Sequence, residues 1–154
     1  MTMDIRLFNM MIPRALVVAV AINALWINAS EIARYFAFVQ PMMRRALPQV
    51  PGVAPMNLPV FLSWGVWDTL VLLAITGFTW MFLERFGNSK RNAILAGTLV
   101  WLAIFVVLWL GLFNMNLATM EVVLTALPLA WIEMVVAALI VVWCRGRYSG
   151  PVIE

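Results

Sequence analysis

Four stretches of this 154-residue chain, about residues 15–38, 60–83, 93–113 and 119–143, are long and almost uninterrupted runs of apolar side chains. A helix that crosses a bilayer needs about 20 such residues, because every backbone polar group must be satisfied internally in hydrocarbon. The composition agrees: 65% of residues are hydrophobic and only 11% charged, where soluble domains average roughly 25% charged. A chain this short cannot hide that apolar excess in a water-soluble core. The expected fold is therefore all-α: a polytopic integral membrane protein built as one antiparallel four-helix bundle.

Proline and polar punctuation sets the boundaries. Pro13 and Pro41 bracket the first span, Pro59 opens the second, and Asn88 and Ser89 are candidate N-caps for the third. The link at 39–59 carries Pro41, Pro48, Pro51, Pro55 and Pro59, so it is expected to be extended or turning rather than helical. The other links are short, which makes the second, third and fourth spans antiparallel neighbours. Arg14 followed by Ala15–Ile27 has the outline of a signal peptide, but Asn23, Trp26 and Asn28 interrupt it, so the segment reads as a retained span.

Charge speaks to orientation. The net charge of +3 does not suggest a nucleic-acid partner, since the basic residues form no contiguous face. Seven of them (Arg6, Arg14, Arg85, Lys90, Arg91, Arg145, Arg147) fall on one side of the four spans. The other side holds Arg44 and Arg45, with Arg34 close by. Basic residues mark cytoplasmic loops, so both termini are expected in the cytoplasm of a bacterial inner membrane. The chain has no histidine and one cysteine, Cys144, which argues against haem, His-ligated metals, Ser-His-Asp triads and disulfides. No metal or cofactor is expected. Cys144 itself reads as a membrane-facing thiol.

Polar residues within the spans carry the functional argument. Charged side chains cost about 2.5–3.5 kcal/mol at a helix centre on insertion scales, so each needs a partner or a wet cavity. Helical geometry gathers Asn23, Ser30 and Arg34 on one side of the first span, with Glu31 beside them and Asn28 and Tyr35 at the edge. Glu31 and Arg34 can pair across three residues. Glu121 lies near a span end, where its carboxylate can reach the headgroups. Asp68, eight residues inside Val60, lies roughly 12 Å deep at 1.5 Å per residue. Glu133 is deeper still. Arg34 is the one base within the spans, against the acids Glu31, Asp68 and Glu133. The acids it leaves unmatched must keep a proton, hydrogen-bond to neighbours, or meet water or a cationic ligand.

Trp64 flanks Asp68 and Trp131 lies beside Glu133; rings beside acids suit organic cations or flat apolar ligands. Pro128 is expected to bend the fourth helix and free the Leu124 carbonyl. Gly97, Ala93 and Thr98 on the third span, and Gly77 on the second, are small enough for close helix approach.

Three functions fit. The first is a cavity lined by Asn28, Glu31, Arg34, Asp68, Glu133, Trp64 and Trp131 that binds or transports a small lipophilic or cationic molecule, working as a homo-oligomer. The second is an accessory subunit of a larger membrane complex. The third is an intramembrane acid–base enzyme of isomerase type acting on a lipid-soluble substrate.

Overall fold

A computed structural model describes residues 4–7 and 10–148. Among them, four helices are long and apolar enough to cross a membrane: Arg14–Ala46, Leu58–Phe86, Lys90–Asn114 and Met120–Tyr148. They correspond one to one with the four apolar runs, and their short connections make successive helices antiparallel. The fourth helix packs against all three others, and the second packs against the first and third as well. The bundle therefore has two ends. One carries the links at 47–57 and 115–119; the other carries the turn at 87–89 together with the start of the first helix and the end of the fourth.

Three features differ from the sequence reading. Ahead of the first helix, Asp4–Leu7 (β1) and Met10–Pro13 (β2) pair as an antiparallel hairpin, with Asp4 opposite Pro13 and Leu7 opposite Met10. The all-α expectation misses it. Pro13, at φ −60° and ψ 131°, holds the chain extended up to the first helical residue.

The second difference is larger. The first helix does not stop at Phe38; it continues to Ala46, so the Pro-rich link shrinks from residues 39–59 to 47–57. A five-residue π turn, Tyr35–Val39, immediately precedes Gln40 and Pro41. There the Gln40 N–H reaches back five residues to the Tyr35 carbonyl. Pro41 then falls in the first turn of the resumed helix, where its missing N–H and fixed φ are tolerated. The third helix contains a matching π turn at Leu102–Val106, at the same end of the bundle.

Third, Cys144 is fully buried instead of membrane-facing. It packs with Ala15, Ala19, Trp80, Leu83 and Val141, where small side chains let the first, second and fourth helices close together.

Helix ends are fixed locally. The Asn57 side chain accepts from the Val60 N–H at 3.1 Å, and Ser89 caps the third helix by accepting from the Asn92 N–H at 3.2 Å. Asn92 in turn donates to the Phe86 and Gly87 carbonyls at 2.7 and 2.9 Å. Gly97 meets the expectation of close approach: a Cβ there would lie 2.8 Å from the Met134 carbonyl oxygen. Gly77 does not, since open space surrounds it. The fourth helix runs continuously through Pro128. Trp101 donates to the Leu127 carbonyl at 2.9 Å, one helix away from it and next to the proline, while the Leu124 side chain is exposed.

Candidate functional site

The first helix buries Ala15, Ala19, Asn23, Ile27, Glu31 and Arg34. Their spacing of four, four, four, four and three draws a single stripe down one face, and that stripe turns into the bundle. Near its middle, the Asn23 amide donates to the Thr76 hydroxyl at 3.0 Å and to the Ala137 carbonyl at 3.2 Å, joining the first, second and fourth helices. One turn further on, Trp26 donates to the backbone carbonyl of Glu133 at 3.0 Å. The stripe ends in a buried charge cluster.

Arg34 is the centre of that cluster. Its Nη2 contacts Glu31 Oε1 on the same helix and lies 3.7 Å from Glu133 Oε2 on the fourth helix. Its guanidinium sits over the Phe105 ring of the third helix, 5.1 Å from the centroid. Such stacking leaves the in-plane N–H groups free for carboxylates. Asp68 enters from the second helix and is 7% exposed. Among the described residues no base comes within ion-pairing distance of it, and its Oδ1 has no hydrogen-bond partner. No three of the acids lie close enough together to hold a metal ion among the described residues.

Beside the cluster lies a cavity of about 370 Å³, within the usual size range of small-molecule sites. Asn28, Glu31, Arg34 and Tyr35 of the first helix line it, with Trp64, Trp67 and Asp68 of the second and Phe105 and Trp109 of the third. Edge-on and tilted ring contacts run Tyr35–Trp64–Trp67–Phe105, with centroids 6.1, 6.3 and 6.4 Å apart. Asn28 turns its own amide onto the Ala24 carbonyl at 2.7 Å. The 47–57 link lies along the cavity through Ala54, Pro55 and Met56. Ala54, at φ 49°, presents its carbonyl to three donors: Tyr35, Gln40 and Arg44, at 3.2, 3.3 and 3.4 Å.

The structure thus brings together Asn28, Glu31, Arg34, Asp68 and Trp64 on one cavity wall, with two corrections to the expected lining. Glu133 belongs to the charge cluster but stands behind Arg34, 2% exposed and off the cavity wall. Trp131 belongs to neither. It is two residues from Glu133, hence 200° around the helix, and it faces outward, donating to the Thr98 hydroxyl at 3.0 Å. Phe105, Trp109 and the Ala54 carbonyl were not legible as site groups. The third span has no polar residue at this level to single out a face, and a backbone carbonyl leaves no mark in sequence.

Comparison of the chain with protein-family models, with curated proteins and with solved structures finds no match.

Proposed function

We propose that this protein is a small integral membrane protein that binds, and carries, a lipophilic molecule bearing a positive charge in the cavity beside Asp68. One observation carries the reading: a nearly buried carboxyl with no base within ion-pairing distance among the described residues lines a cavity of ligand size walled by aromatic rings. An aromatic wall welcomes an apolar body and can face a cation, and Asp68 supplies the single charge that would hold it. The basic residues at the 87–89 turn and near both termini favour an orientation with both termini cytoplasmic and the cavity end facing outward. A bacterial inner membrane suits that pattern.

The other two readings draw less support. Within the polar stripe of the first helix, Asn23 bonds Thr76 and Ala137 and Arg34 contacts Glu133 inside the bundle, which leaves less of it for a partner subunit. Acid–base catalysis needs two groups free to exchange protons with one substrate; of the two acids on the cavity wall, Glu31 is ion-paired to Arg34 and Asp68 alone is not.

Benzyltrimethylammonium and its neutral isostere neopentylbenzene test the reading. The purified chain is expected to bind the cation, to discriminate against the isostere by at least about tenfold (about 1.4 kcal/mol), and to lose that preference in Asp68→Asn. Equal binding of both compounds contradicts a cation site.

A further inference from the structure

A carboxyl that awaits a positively charged guest has to exist without one. Four ionisable side chains are buried where the first, second and fourth helices meet: Glu31, Arg34, Asp68 and Glu133. The third helix faces them with Phe105 and Trp109, which do not titrate. Tyr35 is the other titratable group on the cavity wall, and its hydroxyl donates to the Ala54 and Pro55 carbonyls.

Fully ionised, three acids against one base leave two uncompensated negative charges in an apolar setting. Uncompensated buried charge is expensive enough that such groups neutralise instead. Arg34 contacts both Glu31 and Glu133 and so compensates charge within that trio. Asp68 has no base within ion-pairing distance among the described residues, so it is the acid that needs a proton while the site is empty. The two differ in access: Asp68 lines the cavity, whereas Glu133 lies behind the guanidinium and off its wall.

We infer that the site exchanges one proton for one monovalent organic cation, with Asp68 as the exchanging group and the Glu31–Arg34–Glu133 trio as a fixed charge. This rests on the cation-binding reading above and narrows its ligand to a monocation with an apolar body. The exchange is balanced: the Asp68 O–H bond breaks, the proton leaves to solvent, and the quaternary nitrogen takes its place beside the carboxylate. Net charge within the bundle does not change. A dication would leave one charge unmatched, and an anion would meet a carboxyl.

The test uses the full chain in detergent and benzyltrimethylammonium, whose nitrogen has no proton to release, so any proton released on binding comes from the protein. Calorimetry in two buffers of different ionisation enthalpy counts those protons. In the acidic range where the empty site keeps its proton, the expected result is about one proton released per bound cation and an affinity that rises about tenfold per pH unit until it levels off, since proton and cation compete for one carboxylate; the release is counted in that range. Glu133→Gln is expected to keep the release of one proton, and Asp68→Asn to release none. Binding without release, release of two protons, or release that persists in Asp68→Asn overturns the exchange while leaving the cation site standing. No binding at any pH overturns the cation-site reading itself.

Discussion

Each end of the bundle holds an arginine, a glutamate and an aromatic ring in contact, and the two sets behave as opposites. At the end carrying the 87–89 turn, Arg145 stacks on Trp80 at 4.3 Å and lies 3.6 Å from Glu84, whose carboxylate also accepts from the Trp80 indole at 2.7 Å. This set has one acid for one base, and the acid is exposed. At the cavity end, Arg34 stacks on Phe105 and serves two buried glutamates, with a buried aspartate beside them. The first set ties two helices at the rim of the bundle. The second buries charge, which is costly in an apolar interior, next to a cavity that the bundle does not fill. Groups of the same chemistry thus stand in two settings, and burial and the ratio of acids to bases separate them.

The largest expected effect comes from removing each arginine. Arg34→Met leaves Glu31 and Glu133 buried without a base and is expected to lower stability by about 3–5 kcal/mol. Arg145→Met leaves an acid that solvent or headgroups can reach, and should cost no more than about 1 kcal/mol. Thermal unfolding of both variants in one detergent measures the difference. Adding Glu133→Gln should recover part of the loss in the Arg34 variant and none in the other. Equal losses at the two ends would erase the distinction.

A smaller effect sharpens the packing side of the contrast. Gly97→Val drives side-chain atoms into the Met134 carbonyl, and overpacking of this kind costs about 1–3 kcal/mol. Gly77→Val meets open space and should stay within about 0.5 kcal/mol of the parent. The same unfolding assay distinguishes them. A change small in stability but visible in rate is expected for Tyr35→Phe, which removes the hydroxyl that holds the 47–57 link at Ala54 and Pro55. The cost is about 1 kcal/mol or less, and its signature is kinetic: faster release of bound benzyltrimethylammonium in stopped flow.

Hydrophobic run length located the four long apolar helices, and helical periodicity on the first grouped Asn23, Ser30 and Arg34 with Glu31 beside them; Asn23, Glu31 and Arg34 do share the buried stripe, while Ser30 lies at its edge and donates to the Ile27 carbonyl. Both signals are strong because they sum over many residues. The extension past Pro41 was hidden because the rule that proline ends helices assumes regular α geometry upstream, and the π turn at Tyr35–Val39 suspends that assumption. Trp131 was misjudged by adjacency: neighbours in sequence point apart on a helix, and its 200° separation from Glu133 was computable from the same periodicity that worked for the first span. The burial of Cys144 depended on Ala15, Ala19 and Val141 arriving from other turns and helices, which only tertiary packing decides. Ala54 could not be found at all, because its contribution is a carbonyl in a strained backbone position.

The central claim is that the charge cluster looks into a cavity that water and a cation can enter. Asp68 and Leu70 share one helix and nearly one depth; the first lines the cavity and the second is exposed on the outer surface of the bundle. Each can be replaced by cysteine in a Cys144→Ala background and challenged, in membrane vesicles, with a membrane-impermeant methanethiosulfonate carrying a quaternary ammonium group. The account predicts rapid modification of Asp68→Cys and none of Leu70→Cys. Two equally inert thiols, or faster labelling at Leu70, would contradict it.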